Sequence, residues 1–201
     1  MLRVGLTGGL ASGKSFVGRE LANLGCLLIR ADELGHQVLE PGGEAYEGTI
    51  REFGREILND DGTIDRRKLA AVVFRDPTQL AKLNVLVHPP VQARERRLMD
   101  QYAATHPRGI AVVEAAILVE TGSYRDFAKL IVAVCGEEQQ IERAMARDGM
   151  TREQALERLS RQMPLAEKIK YADYVIDTSG AKDSTLAQTR AVHQALLALN
   201  P

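Results

Sequence analysis

The sequence lacks the features that mark a membrane protein or a nucleic-acid-binding protein. Nowhere in its 201 residues do about 18 consecutive apolar residues occur, the length that a membrane-spanning helix needs. The N-terminal stretch has no long apolar region behind a basic start. Lys and Arg number 26 against 27 Asp and Glu, so no excess of positive charge indicates a nucleic acid or an anionic membrane as the partner. We therefore expect a cytoplasmic monomer whose partners are small molecules.

Cysteine is scarce as well. Cys26 and Cys135 are the two cysteines of the chain, and both lie in apolar stretches that resemble buried strands. Neither belongs to a CxxC pair or stands near a pair of histidines, so nothing indicates a metal site. We expect both thiols to be reduced residues of the core rather than partners in a disulfide.

Five short apolar runs predict a parallel sheet. Their hydrophobicity is continuous rather than alternating, which is typical of strands that are covered on both faces. A helical pattern between the first two runs ends at Gly25, so this part of the chain is predicted to form a strand, a helix and a second strand. Repetition of that unit predicts an α/β fold, with a five-stranded parallel sheet between two layers of helices. The predicted strands are 3–7, 26–30, 110–115, 130–135 and 174–177.

The stretch between the second and third predicted strands is far too long for one crossover helix. Pro and Gly clusters divide it into segments with helical patterns. Asp76 and Pro77 form a good N-cap and first residue for one of these helices, and we expect His88 to be extended and the prolines after it to end that helix. The predicted boundaries are 35–108 for this helical subdomain, the first insertion, and 1–34 with 109–201 for the core.

A second insertion, at about 136–163, lies between the fourth and fifth predicted strands. Thr151 and Gln154 form a capping box ahead of an apolar helical pattern. The insertion is rich in arginine, at positions 143, 147, 152, 158 and 161.

The chemistry is carried by residues 8–15, Gly-Gly-Leu-Ala-Ser-Gly-Lys-Ser, which we call the phosphate loop. They satisfy the pattern GxxxxGK[ST] and stand between the first predicted strand and the first predicted helix, as the mechanism requires. Gly8 and Gly13 permit backbone angles that turn successive N–H groups toward phosphate oxygens, and the helix that follows adds its dipole. Lys14 can reach the β and γ phosphates, and the Ser15 hydroxyl can ligate Mg²⁺.

A phosphate loop alone does not distinguish a kinase from a GTPase or a motor ATPase. The sequence has no Asn-Lys-x-Asp motif for guanine, and the third strand runs into Glu114, where a Walker B strand would carry Asp. These absences disfavour a GTPase. A compact core with two insertions at these places is the plan of nucleoside monophosphate-like kinases, in which one insertion holds the acceptor and the other closes over ATP as a lid.

In order and spacing, the motifs of the chain resemble those of the dephospho-coenzyme A kinase family. The shared segments are 7–15, Ala31-Asp32 after the second strand, 62–69, His88-Pro89 and 172–177. The resemblance implies ATP-dependent phosphorylation of the ribose 3′-hydroxyl of dephospho-coenzyme A, the last step of coenzyme A biosynthesis, with Mg²⁺ as cofactor. Two departures affect loop geometry: Ala116 stands where the family usually has Pro, and Thr178 where it often has Asn.

Two residues outside the phosphate loop are candidate catalytic groups. Asp32 follows the carboxyl end of a strand, the edge at which ligands of open α/β sheets bind, and it is either a base or the N-cap of the next helix. The resemblance favours the base. Arg143 and Arg147 share one helical face, which is either a solvated surface or a pair of phosphate contacts in a closed lid. Arg66 and Arg67 likewise either serve the pyrophosphate of the acceptor or lie in solvent.

The predicted site therefore has a catalytic set, a nucleotide-binding set and one metal ligand. The catalytic residues are Asp32, Lys14 and Arg143; the ATP-binding residues are Gly8, Gly9, Ala11, Ser12, Gly13, Lys14, Ser15, Phe16 and Arg147; the Mg²⁺ ligand is Ser15. Another small-molecule kinase and a nucleotide-dependent regulatory module without turnover remain as alternatives.

Overall fold

A five-stranded sheet lies at the centre of the structure, a computed structural model that describes residues 1–199. Its strands are β1 (Leu2–Gly8), β2 (Leu27–Arg30), β3 (Ile110–Glu114), β4 (Lys129–Val134) and β5 (Tyr174–Asp177). They are ordered β2-β3-β1-β4-β5, and every neighbouring pair is parallel. The predicted α/β fold with a parallel sheet is confirmed.

Helices connect the strands, and the chain divides into two compact units. The first unit contains Met1–Arg30 and the chain from Met99 onward, and the second contains Ala31–Leu98. The helices are α1 (Lys14–Asn23), α2 (Ala31–Gln37), α3 (Tyr46–Phe53), α4 (Arg66–Val73), α5 (Pro77–Thr105), α6 (Glu137–Asp148), α7 (Arg152–Ser160), α8 (Leu165–Lys168) and α9 (Lys182–Ala198), with 3₁₀ turns at Arg55–Ile57, Ser123–Asp126 and Ile169–Tyr171. Across residues 1–199, no helix combines the length and apolar character that crossing a bilayer requires.

The core of the first unit is built on the central strands. Leu6 and Ile131 are fully buried on β1 and β4, and they belong to the same cluster as Leu21 of α1 and Leu196 of α9. Each such side chain stabilises the fold by about 1.5–3 kcal/mol on burial. This packing fixes β1 and α1, and it therefore fixes the loop between them.

The two cysteines differ in their surroundings. Both thiols are free, as expected for reduced residues. Cys26 is buried in the core of the first unit, and burial raises the pKa of its thiol to about 11. Cys135 is only half-buried, so the prediction of two core thiols is correct for Cys26 alone.

The prolines at 89 and 90 do not end a helix, and the prediction that they do is wrong. Both lie inside α5, and His88 before them is helical rather than extended. Each proline removes an intrahelical hydrogen bond and opposes helical angles in the residue before it. Tertiary packing overrides this local preference, because leucines of α5 pack against the core of the second unit. These leucines are Leu80, Leu83 and Leu86.

The two helix starts predicted at Asp76 and Thr151 are confirmed. Asp76 caps α5 by accepting hydrogen bonds from the Thr78 hydroxyl and the Thr78 N–H, each at 2.8 Å, and these bonds lower the pKa of Asp76. At α7, the Thr151 N–H donates to Gln154 Oε1 at 2.9 Å and the Gln154 N–H donates to Thr151 Oγ1 at 3.3 Å. Short-range side-chain chemistry thus decides where these helices begin.

Candidate active site

The phosphate loop joins the end of β1 to the start of α1. Gly13 has a φ of 86° and caps α1, and Ala11, with a φ of 49°, is the one non-glycine residue among 1–199 with a positive φ. The N–H groups of Lys14 and Ser15 open the helix and have no intrahelical acceptor. The Phe16 N–H differs, because it donates to the Gly13 carbonyl oxygen at 2.9 Å. The loop therefore presents backbone donors at the positive end of the α1 dipole.

Close approach explains the first two glycines of the loop. A Cβ atom on Gly8 would lie 2.3 Å from Ser12 Oγ and 2.7 Å from the Ala133 carbonyl oxygen. A Cβ atom on Gly9 would lie 2.4 Å from Gln140 Oε1. Neither position can carry a side chain unless its neighbours move.

Two polar side chains of the loop are left without protein partners in the described part of the chain. Ser12 is fully buried, and its Oγ has no hydrogen-bond partner among residues 1–199. Lys14 is half-buried, and no hydrogen bond or ion pair within the same residues involves its ammonium group. Because a buried polar group without a partner is unfavourable, the loop is arranged for a polar ligand.

Glu114 belongs to the site, although it is not among the predicted site residues. It stands in place of the Asp of a typical Walker B element, ends β3 directly beside β1 and accepts a hydrogen bond from the Ser15 hydroxyl. Glu114 is only 4% exposed, and its Oε2 has no hydrogen-bond partner among residues 1–199. Arg30 is a positively charged neighbour of this oxygen, since its Nε lies 3.9 Å from it. The strand order that brings these groups together could not be read from the sequence.

Ser15 and Glu114 also provide the oxygen atoms that a magnesium site needs. Mg²⁺ prefers oxygen ligands and is usually bound by one or two protein groups together with substrate phosphates. A hydroxyl bonded to a buried carboxylate fits that requirement. Within residues 1–199, no cluster of three or more His, Cys, Asp or Glu residues could hold a metal without a substrate.

Arg143 of α6 is linked to the phosphate loop through Thr178. Its Nη2 donates to the Thr178 carbonyl oxygen at 2.7 Å and its Nη1 donates to Thr178 Oγ1 at 3.2 Å. The Thr178 hydroxyl in turn donates to the Ser12 carbonyl oxygen at 2.8 Å. The structure therefore brings Arg143 to the loop, and Thr178, one of the two departures from the family pattern, forms the link.

Arg147 is placed differently, although it lies on the same helix. Its guanidinium pairs with Asp148, with Nε to Oδ1 at 2.7 Å and Nη2 to Oδ2 at 2.8 Å, and this hydrogen bonding raises the pKa of Arg147. None of its hydrogen bonds within residues 1–199 reaches the phosphate loop. The structure does not bring Arg147 to the loop as it does Arg143.

Asp32 lies in the second unit, where it is the second residue of α2. Its side chain is exposed, and within its own unit its carboxylate makes no hydrogen bond or ion pair. Because α2 begins at Ala31, Asp32 lies inside the first turn of the helix and not at the N-cap, where the alternative interpretation put it. A carboxylate in the first turn is favoured by the helix dipole.

A polar cavity of about 550 Å³ lies within the second unit. Arg66 and Arg67, the first two residues of α4, line it together with His36 and Asn59. Burial and the charge of Arg66 lower the pKa of His36, which favours its neutral imidazole. Arg66 and Arg67 are therefore the lining residues that provide positive charge to the cavity.

Two residues beyond α7 reach the phosphate loop, and nothing in the sequence indicated them. Gln162 Oε1 accepts a hydrogen bond from the Leu10 N–H at 2.8 Å. Lys168 is fully buried and donates to the Gly8 carbonyl oxygen at 3.3 Å. A lysine in the charged sequence Leu-Ala-Glu-Lys has the pattern of a surface residue, so only the tertiary structure identifies it as buried.

Comparison with known proteins gives consistent results. The family described as Dephospho-CoA kinase matches residues 2–183. A dephospho-CoA kinase of Aquifex aeolicus is 39% identical over 196 residues, covering 98% of each chain. One of Carboxydothermus hydrogenoformans is 41% identical over 191 residues, covering 95% of this chain and 92% of the relative. A solved structure from Thermus thermophilus is similar at a TM-score of 0.83 and 31% identity, over 96% of both chains.

Proposed function

The chain belongs to the dephospho-CoA kinase family, and from that membership we propose how its residues divide the work of the reaction. The enzyme phosphorylates the ribose 3′-hydroxyl of dephospho-coenzyme A, the last step of coenzyme A biosynthesis. The observation that carries the proposal is the phosphate loop. Its Lys14 ammonium has no partner within residues 1–199, and this group and the Ser15–Glu114 hydrogen bond suit the triphosphate of Mg·ATP. The enzyme uses ATP as the phosphoryl donor.

Positioning and charge supply most of the catalysis in phosphoryl transfer. The N–H groups at the start of α1 bind the β phosphate, and Lys14 neutralises charge that develops between the β and γ phosphates. Ser15 and Glu114 hold Mg²⁺, which neutralises charge on the phosphate oxygens when bound. Arg143 provides a further positive charge from the second insertion, which acts as a lid over ATP.

Asp32 acts as the general base for the acceptor. The 3′-oxygen forms a bond to the γ-phosphorus as the bond from that phosphorus to the bridging oxygen of ADP breaks, and the hydroxyl proton passes to the Asp32 carboxylate. ADP is the leaving group. Asp32 is exposed within its unit and has no hydrogen-bond or ion-pair partner there, so its carboxylate is accessible to the substrate.

The second unit binds the acceptor. Its polar cavity and the positive charges of Arg66 and Arg67 suit a substrate that carries a pyrophosphate. Arginine binds phosphate oxygens in a bidentate manner, so both residues are expected to contribute to affinity for dephospho-coenzyme A rather than for ATP.

Acceptor-dependent ADP release tests the proposal. Purified protein with Mg·ATP should release ADP with dephospho-coenzyme A, and phosphorus-31 NMR should show a new 3′-phosphomonoester. Lys14→Ala should abolish the release, whereas Arg19→Ala, an exposed cation on α1, should not. Release with shikimate or a nucleoside monophosphate instead would show a different acceptor. Tight ATP binding with no release for any acceptor would identify a regulatory module.

A further inference from the structure

Lys168 has a fully buried side chain that the reaction described above does not use. It is the last residue of α8, and its ammonium group faces three oxygen atoms. It donates to the Ala116 carbonyl oxygen at 2.7 Å and to the Gly8 carbonyl oxygen at 3.3 Å, and it forms an ion pair with Glu120 Oε1 at 2.8 Å. An ammonium group has three N–H donors, so all three are used by these acceptors. A buried charge is stable only when it is paired and hydrogen-bonded in this way.

The acceptors of Lys168 belong to the two segments that carry the candidate active site. Gly8 is the last residue of β1 and the first of the phosphate loop. Ala116 follows Glu114 by two residues, and its carbonyl oxygen also accepts a hydrogen bond from the Thr7 hydroxyl at 3.2 Å. One ammonium group thus joins the start of the phosphate loop to the backbone just beyond Glu114.

The stretch that precedes Lys168 makes a second contact with the loop. Gln162 Oε1 accepts a hydrogen bond from the Leu10 N–H at 2.8 Å. The Met163 N–H donates a hydrogen bond to Glu120 Oε1 at 3.2 Å. Glu120 therefore binds both ends of the stretch 163–168, at Met163 and at Lys168. Its side chain is 22% exposed, so it connects the buried ammonium to the protein surface.

Glu120 is the acidic partner of Lys168, and the positive charge of Lys14 also acts on the pKa of Lys168. Burial lowers the pKa of Lys168, Glu120 raises it, and the nearby charge of Lys14 lowers it. Glu120 offsets the buried positive charge of Lys168 by pairing with it.

We propose that Lys168, held by Glu120, is a positioning residue that fixes the Gly8 carbonyl and so aims the N–H groups of the phosphate loop at ATP. The inference rests on the proposed function, because it takes ATP as the ligand of the loop. Loss of the contact should weaken phosphate binding and slow phosphoryl transfer, since small displacements of bound groups have large effects on rate. Binding of the acceptor should change less.

Three variants test this inference. Lys168→Met keeps the length of the side chain and removes the ammonium, and Glu120→Gln removes its counter-charge. The matched control is Lys170→Met, because Lys170 is exposed and pairs with Glu167 at 2.6 and 2.8 Å. The Kd of a non-hydrolysable ATP analogue, kcat/KM for ATP and KM for dephospho-coenzyme A are measured for each, with circular dichroism and thermal unfolding to select temperatures at which the variants are folded.

Lys168→Met is expected to lower kcat/KM for ATP by about 10- to 100-fold and to raise the Kd of the analogue. Glu120→Gln should act in the same direction with a smaller effect, and it remains informative if Lys168→Met does not fold. Values within about threefold of those of Lys170→Met would overturn the inference, as would equal losses for ATP and for dephospho-coenzyme A. Failure of wild-type protein to turn over would count against the proposed function alone, because the analogue Kd still reports on Lys168.

Discussion

The Ser15 hydroxyl and the Glu114 carboxylate meet where β1 and β3 lie side by side, and this contact is the most specific feature of the site at the scale of single residues. A buried carboxylate beside a phosphate loop has a high desolvation cost unless a cation or a donor offsets it. Ser15 supplies a donor, and Arg30 Nε lies 3.9 Å away. The same carboxylate is then available to hold the metal that accompanies ATP.

Glu114→Gln tests that role. The amide keeps the size of the side chain and can still accept the Ser15 hydrogen bond, so the fold should persist. The Mg²⁺ concentration for half-maximal activity should rise, and kcat should fall by about 10²-fold. Kinetics over a magnesium titration measures both. Glu20→Gln is the matched control, since Glu20 is a buried carboxylate of the same unit that pairs with Arg190; an equal effect in that variant would contradict the role of Glu114.

Asp32→Asn tests the proposed base. The amide has nearly the same size but cannot accept the proton of the 3′-hydroxyl, so kcat should fall by about 10²- to 10⁴-fold while the Kd of ATP is unchanged. Steady-state kinetics and equilibrium binding separate the two quantities. Glu47→Gln, which changes a carboxylate in the first turn of α3, should leave kcat unaffected. A decrease in kcat of less than about fivefold would leave Asp32 with only a helix-dipole role.

Helix α6 shows how one element places two similar side chains in different surroundings. Arg143 and Arg147 are four residues apart, but Arg143 bonds to Thr178 and Arg147 bonds to Asp148. Apolar contacts hold the helix against the phosphate loop, because Leu10 and Ala11 belong to one cluster with Ile141 and Ala144. The cluster also includes residues of α7 and of the turn before it. Both helices of the second insertion therefore pack on the phosphate loop.

Arg143→Ala should therefore lower kcat for ATP by about 10²-fold or more, because it removes a charge that is linked to the phosphate loop. Arg147→Ala should have a smaller effect, since its guanidinium is already paired with Asp148. Arg158→Ala, at an exposed position of α7, serves as the control. Similar values of kcat for the Arg143 and Arg158 variants would exclude a catalytic role for Arg143.

At the scale of the whole molecule, the chain forms two units whose proposed ligands differ. The first unit contains the phosphate loop and the Arg-rich second insertion. The second unit contains a polar cavity lined by Arg66 and Arg67. If ATP and the acceptor bind to different units, each ligand should protect its own unit from solvent.

Hydrogen exchange can test this division. A non-hydrolysable ATP analogue should protect the phosphate loop and residues 136–163, and dephospho-coenzyme A should chiefly protect α2 and α4 in the second unit. Protection is measured by mass spectrometry of peptides from each unit, with α9 as an internal reference. Protection of the same segments by both ligands would contradict the division, even for an active kinase.

The sequence by itself determined the features that depend on neighbours along the chain. Continuous apolar runs predicted the parallel strands, and Asp76 and Thr151 predicted two helix starts. The glycine pattern with Lys14 and Ser15 predicted the phosphate loop. Each of these depends on local periodicity or on side chains within a few residues, which a sequence displays directly. The resemblance to a family then gave the reaction.

Only the tertiary structure decided the contacts between residues far apart in the chain. Glu114 reaches Ser15 because β3 lies beside β1, and Lys168 reaches Gly8 across 160 residues. His88 is helical because packing of α5 outweighs the local preference set by Pro89. Strand order, burial and packing of this kind depend on the whole fold, so neither composition nor spacing contains them.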